Sequence, residues 1–140
     1  MKCNRFVVLL AAAVMLVLCA AANAVEVIRY DRIPNDIFAN EIKAAKTWKG
    51  KEVCIRGTVD KVLSKGGNAV VQLKSSGSGY DGSAYEYEYH CRFDGIPDAV
   101  AELESGQTVS ITAVVQGWGF IMDITYYRSV EVYLSQSQLN

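Results

Sequence analysis

The clearest pattern in the chain is an alternation of apolar and polar residues between residues 52 and 63. The apolar positions of this stretch are Val53, Ile55, Gly57 and Val59. Such a period of two predicts a half-buried strand. Gly57 falls on the apolar face, where a glycine usually marks a bend or a close approach of another backbone. The phase slips at Val62 and Leu63, which predicts a β-bulge. We therefore expect a long, bent strand that pairs on both sides and closes a small barrel.

Four later stretches predict the other strands of this barrel. They cover about residues 69–74, 85–93, 107–116 and 120–134, the last with a break near Arg128. The glycines of Lys65-Gly66-Gly67-Asn68 predict a tight turn between the first two strands, and Gly117-Trp118-Gly119 predicts a turn between the last two. The polar residues 135–140 predict a frayed tail.

Two helices are predicted beside these strands. The first is capped by Asn35 or Asp36 and ends at Gly50. The apolar residues that repeat at helical spacing along it, and that should cover one mouth of the barrel, are Phe38, Ile42, Ala45 and Trp48. The second helix covers about residues 97–104 and begins at a proline, which the first helical turn tolerates. Three strands, a helix and two more strands form the order of the OB fold. The sequence thus predicts a mainly β, five-stranded OB-fold barrel with an N-terminal helix.

Residues 1–24 have the features of a secretory signal peptide. A basic start precedes an apolar run from Phe6 to Ala22, and small residues then favour cleavage after Ala24. Leu18 directly before Cys19 fits lipoprotein processing poorly. A soluble periplasmic or secreted protein without a membrane span is therefore predicted, rather than a lipoprotein anchored through Cys19. The predicted division is a signal peptide (1–24), a lead-in (25–33), an OB-fold domain (34–134) and a flexible tail (135–140).

Charge and cysteine positions restrict the ligand and the covalent structure. From Val25 onward the chain has 12 lysines and arginines against 15 aspartates and glutamates, which is a net charge of about −3. A mildly acidic domain lacks the overall positive charge that is typical of phosphate binders.

Cys54 falls on the polar face of its predicted strand and Cys91 on the apolar face of another. This parity argues against a disulfide between them, without deciding the redox state of the thiols.

Four segments together resemble a known family. They are Trp48-Lys49-Gly50-Lys51, residues 53–59, Tyr89-His90-Cys91-Arg92-Phe93 and residues 103–111. The pattern resembles the tRNA anticodon-binding-like OB-fold family of exported bacterial proteins over about residues 34–134. The sequence is also similar to small periplasmic OB-fold proteins linked to stress tolerance, but its motifs agree less well with theirs. The resemblance implies an OB fold, export and nucleic-acid binding as a candidate function. Its motifs are structural, and a fold does not imply a function.

No catalytic motif or phosphate-binding loop is recognisable, so a non-enzymatic protein is predicted. His90 is the only histidine in the sequence. With Glu88 and Arg92 on the same face of its strand, it is predicted to belong to an exposed charge ladder. Glu86 shares that face, but zinc needs three or four convergent ligands and the sequence shows no second cluster. No metal and no cofactor are therefore predicted.

Two functions remain open at this point. The first is a periplasmic binding or interaction module, related to envelope stress, whose partner in the envelope is a protein, a peptide or a glycan. The alternative is a protein that binds single-stranded nucleic acid, such as tRNA, on the face of the second and third barrel strands. Its candidate residues are Arg56, Lys74, His90 and Arg92 for phosphates, and Tyr80, Tyr85 and Trp118 for bases. Tyr87 and Tyr89 are predicted to be core residues, and outward carboxylates at Glu86 and Glu88 would repel phosphate.

Overall fold

Six strands and three helices form the part of the chain that the computed structural model describes, residues 25–78, 84–122 and 128–140. In chain order they are β1 (Glu26–Ile28), α1 (Arg32–Ala39), α2 (Glu41–Trp48), β2 (Glu52–Lys65), β3 (Asn68–Ser78), β4 (Ala84–Arg92), α3 (Asp98–Ala101), β5 (Thr108–Met122) and β6 (Arg128–Leu139). The predicted signal peptide lies outside the described residues. Within them, no helix combines the length and the apolar character that a membrane span requires.

Strands β2 to β6 close into a five-stranded barrel. Their order around the barrel is β2, β3, β4, β6, β5, with β5 pairing back onto β2. Neighbouring strands are antiparallel except for β4 and β6, which are parallel. The short strand β1 adds to β2 in parallel. This arrangement is the OB fold, and it confirms the predicted fold class.

Strand β2 closes the barrel because it changes partners along its length. Residues 52–58 pair with β5, whereas residues 59–65 pair with β3. A register shift between Val59 and Lys61 marks the bulge expected from the slip in alternation. The expected long strand with a partner on each side is therefore confirmed.

Gly57 leaves room for Tyr30 where β2 changes partners. A Cβ atom at Gly57 would lie 2.7 Å from Tyr30 Cε2 and 3.1 Å from Leu73 Cδ1. The Tyr30 ring packs edge-to-face against Tyr89, with ring centroids 4.9 Å apart, and the Tyr89 hydroxyl donates to the Tyr30 carbonyl oxygen. Burial raises the pKa of both phenols above the ordinary value. The segment predicted as a lead-in therefore contributes a neutral, partly buried aromatic side chain that packs against the barrel core.

The inward faces of the strands form the core. As expected from parity, Tyr87 and Tyr89 are buried, with 2% and 0% of their surface exposed. Cys91 is buried in the same interior, whereas Cys54 is partly exposed on another strand, and both are free cysteines. Burial raises the pKa of the Cys91 thiol to about 12, so this thiol stays protonated at neutral pH.

The helix predicted before the barrel is in fact two helices. Asn40 adopts an extended backbone between them, and its side-chain oxygen caps α2 by accepting a hydrogen bond of 3.0 Å from the Lys43 backbone N–H. The break changes which residues face the barrel. Ile42, predicted to be buried, is 74% exposed. The buried positions of the two helices are Ile33, Pro34, Ile37, Ala44 and Trp48.

The last two strands also differ from the prediction. Gly117-Trp118-Gly119 is not a turn but lies inside β5, which continues to Met122. Residues 135–139, predicted as a frayed tail, belong to β6 and pair with β5. A Cβ atom at Gly119 would lie 3.1 Å from the hydroxyl oxygen of Tyr133 on β6. The glycine is therefore explained by an aromatic side chain that covers the strand, and not by a turn.

Candidate binding face

The outward side chains of β3, β4 and β6 include a group of charged and aromatic residues, which we call the acidic face. Because Tyr87, Tyr89 and Cys91 point inward, the intervening residues of β4 point outward. The charged and aromatic members of the face are Lys74 from β3, Glu86, Glu88, His90 and Arg92 from β4, and Glu131 and Tyr133 from β6. Strand register places Lys74 beside Glu88, Glu88 beside Glu131, and His90 beside Tyr133.

Carboxylates dominate the middle of this face. Lys74 Nζ lies 3.8 Å from Glu86 Oε2, so this lysine is already engaged in an ion pair. Arg92 is at the end of β4, opposite Val70. Among the described residues, no lysine or arginine forms an ion pair with Glu88 or Glu131. Two carboxylates beside each other on neighbouring strands repel, so the centre of the face favours a cation.

His90 lies between these two carboxylates. Its Nε2 atom is 3.6 Å from Glu88 Oε2 and 3.8 Å from Glu131 Oε1, and only 13% of the side chain is exposed. Nε2 is buried and has no hydrogen-bond partner in the described part of the chain. The prediction of an exposed charge ladder is therefore wrong for His90, because the strand β6 flanks and shields it. The imidazole, Glu88 and Glu131 bring three metal-ligand atoms within 4.8 Å of one another.

Tyr133 holds one of the carboxylates in place. Its hydroxyl donates a hydrogen bond of 2.7 Å to Glu131 Oε2, which leaves Oε1 directed toward His90. This hydrogen bond, together with partial burial, raises the pKa of the Tyr133 phenol. The ring meets His90 edge-to-face, with centroids 5.4 Å apart. Neither Glu131 nor Tyr133 was among the binding residues predicted from the sequence, although the alternation of Val130, Val132 and Leu134 places both on the outward side.

Only some of the predicted binding residues lie on the same surface of the structure. Lys74, His90 and Arg92 share the acidic face, whereas Arg56 is exposed on the part of β2 that pairs with β5. Trp118 lies elsewhere and already has partners. Its Nε1 donates to Glu41 Oε1 at 3.1 Å, and Lys49 Nζ is 5.0 Å from its ring centroid. Tyr80 and the side chain of Tyr85 lie outside the part of the chain that the structure describes.

Comparisons with known proteins support the fold. No protein-family model matches the chain, and no curated protein matches it significantly. Among solved structures, it is similar to a lipoprotein from Klebsiella pneumoniae subsp. pneumoniae MGH 78578, provisionally described as nucleic acid-binding. The TM-score is 0.52 and the identity 15%, over 83% of this chain and 92% of that chain.

Two further structural similarities are weaker. OBody AM3L09, solved bound to hen egg-white lysozyme, gives a TM-score of 0.39 at 23% identity, over 66% of this chain and 84% of that chain. The aspartyl tRNA synthetase from Entamoeba histolytica gives a TM-score of 0.38 at 15% identity, over 66% of this chain and 19% of that chain. Only the similarity to the Klebsiella lipoprotein supports the fold, and at 15% identity it indicates no shared function. The resemblance to the anticodon-binding-like family stays a prediction.

Proposed function

We propose that this chain is a non-enzymatic OB-fold binding module of the cell envelope that binds a positively charged segment of a protein or peptide on its acidic face. The observation that carries the proposal is the pair of neighbouring outward carboxylates, Glu88 and Glu131, which lack a lysine or arginine partner among the described residues. Opposite charge across an interface selects partners and speeds their encounter. The signal peptide predicted for residues 1–24 and the resemblance to periplasmic OB-fold proteins linked to stress tolerance support the envelope location.

The same face is poorly suited to single-stranded nucleic acid, the alternative function. OB folds that bind single strands combine a positive groove with exposed aromatic rings on which bases stack. Here Tyr87 and Tyr89 are in the core. Lys74 is paired with Glu86, and Trp118 is covered on one side by Lys49. Glu88 and Glu131 would repel phosphates. We therefore favour a cationic polypeptide over a nucleic acid as the partner.

A pair of titrations at low and moderate salt tests this choice. A fluorescent peptide rich in lysine and arginine should bind, and its affinity should fall as salt increases because dissolved ions screen the attraction between opposite charges at the surface. Fluorescent single-stranded DNA and RNA should not bind even at low salt. Salt-dependent binding of either oligonucleotide, with a slope of several phosphates, would support the nucleic-acid alternative and end our proposal.

Matched charge variants locate the peptide site. Glu88→Gln combined with Glu131→Gln should weaken peptide binding by about fivefold or more, on the basis of roughly 0.5–1 kcal/mol for each charge pair formed at the protein surface. Glu102→Gln combined with Glu104→Gln changes the net charge by the same amount on exposed residues beyond α3. This control should bind the peptide like the parent protein. Equal weakening by both double variants would mean that net charge, and not the acidic face, attracts the peptide.

A further inference from the structure

We infer that Glu88, His90 and Glu131 form a binding site for one divalent transition-metal ion, with Zn(II) as the best-fitting occupant. The three side chains come from the parallel strands β4 and β6, whose register brings Glu88 beside Glu131. An imidazole nitrogen and two carboxylates are ligands that zinc accepts in proteins. This site goes beyond the proposed partner and does not depend on it.

The distances between the ligand atoms are close to those around a single ion. Zinc–nitrogen and zinc–oxygen bonds of about 2.0–2.2 Å in a tetrahedron place neighbouring ligand atoms roughly 3.4 Å apart. His90 Nε2 lies 3.6 Å from a Glu88 oxygen and 3.8 Å from a Glu131 oxygen. All three ligand atoms lie within 4.8 Å of one another. Small side-chain rotations would therefore bring the three atoms around one ion.

His90 Nε2 is the second observation that indicates a ligand. This nitrogen is buried, has no hydrogen-bond partner among the described residues, and faces both carboxylates. A buried polar atom without a partner is costly, and a coordinated ion would satisfy it. The same ion would offset the repulsion between Glu88 and Glu131, which no described lysine or arginine relieves.

Tyr133 supplies the support that metal-binding carboxylates usually have. Its hydroxyl donates to Glu131 Oε2 at 2.7 Å, which leaves Oε1 free to face the imidazole. Outer partners of this kind orient the ligands, and their loss typically weakens metal binding by about 10- to 100-fold. Three protein ligands leave a position that water or an exogenous group can occupy. Because the ion would neutralise the two carboxylates, Zn(II) should also weaken the binding of a basic peptide.

The single histidine of the sequence permits a direct test. In protein without an affinity tag and with Cys54→Ser, which removes a partly exposed thiol, Zn(II) should shift the imidazole nitrogen signals of His90 and saturate at one ion per chain. Co(II) should give visible absorption bands of a bound ion. Glu88→Gln and Glu131→Gln should each weaken binding at least tenfold, and Tyr133→Phe about tenfold. Glu86→Gln, on the same strand and face but outside the cluster, should bind like the parent.

Two results would overturn the inference. The first is that His90 signals do not move with Zn(II), or move equally in the Glu88 and Glu131 variants. The second is that both glutamine variants lower the melting temperature of the metal-free protein, while Zn(II) does not change the melting temperature of the parent protein. That result would indicate that the three side chains stabilise the fold by contacting one another and do not bind a metal ion. The peptide titration is a separate experiment. A negative zinc result would therefore not argue against the proposed peptide partner, and a negative peptide result would not argue against the zinc site.

Discussion

Replacing Trp48 by alanine is expected to lower the free energy of unfolding by about 3–5 kcal/mol, the range for large-to-small substitutions of buried aromatic residues. Trp48 ends α2 and is 1% exposed. Its Nε1 donates to Asp36 Oδ2 at 2.9 Å, which ties α2 to α1. Arg32 and Lys51 place their charges 5.6 and 4.9 Å from the ring centroid. The substitution would leave a cavity, remove this hydrogen bond and detach the helices from the barrel.

The other tryptophan provides the control. Trp118 is only partly buried, and its contacts with Glu41 and Lys49 are at the surface. Trp118→Ala should therefore cost clearly less than Trp48→Ala, about 1 kcal/mol, in the same urea denaturation experiment. Trp48→Phe should fall between the two, because it keeps an aromatic ring but loses the hydrogen bond to Asp36. Equal losses of unfolding free energy at the two tryptophans would contradict the conclusion that Trp48 holds α1 and α2 on the barrel.

Replacing Gly57 by valine is expected to destabilise the barrel by about 1–3 kcal/mol through overpacking. A Cβ atom there would approach Tyr30 Cε2 to 2.7 Å and Leu73 Cδ1 to 3.1 Å. Neither neighbour can retreat easily, because the Tyr30 ring packs on Tyr89 and Leu73 is fully buried. Thermal or urea denaturation measures the loss, and Gly57→Ala should show a smaller effect of the same sign.

Gly117 is the matched control for Gly57. It also lies inside a barrel strand, but a Cβ atom there would meet only Lys49 Cε, at the ordinary contact distance of 3.7 Å. Gly117→Ala should be neutral or slightly stabilising, since alanine reduces the freedom of the unfolded chain. Combining Gly57→Val with Tyr30→Leu should cost less than the sum of the two single changes, because the smaller side chain relieves the contact. A Gly57→Val protein as stable as the parent would contradict the close packing at this junction.

The barrel could be predicted from the sequence because each strand buries one face. The alternation in residues 52–63, the glycine on its apolar face and the slip in phase at Val62 were enough to predict a closing strand with a bulge. The same parity correctly placed Tyr87, Tyr89 and Cys91 inside and Cys54 outside. Local patterns of this kind carry the information because side-chain direction in a strand follows directly from position.

The errors arose where a local pattern has more than one physical cause. The glycines of Gly117-Trp118-Gly119 suggested a turn, but Gly119 accommodates Tyr133 from a strand that begins only at residue 128. The spacing of Phe38 and Ile42 suggested one helix, but the cap formed by Asn40 starts a second helix with a different buried face. Tertiary packing overrides the local pattern in the first case, whereas in the second a local cap interrupts the helical periodicity.

The centre of the acidic face could not be predicted from spacing. Glu88 and His90 lie two residues apart, but their third partner, Glu131, is about forty residues later in the chain. Parallel pairing of β4 and β6 brings Glu131 beside Glu88, and this pairing is a property of the whole barrel. For the same reason His90 is shielded, and does not belong to an exposed ladder as its own strand suggested.

The most direct test of the proposed binding face is a map of backbone amide chemical shifts at low salt. The isotope-labelled protein would be titrated separately with a lysine-rich peptide and with a single-stranded oligonucleotide. We predict that the peptide shifts the signals of β4 and β6 around Glu88, His90 and Glu131, while the oligonucleotide leaves the spectrum unchanged. Oligonucleotide-induced shifts on β3 and β4, or peptide-induced shifts confined to another surface, would contradict the proposal.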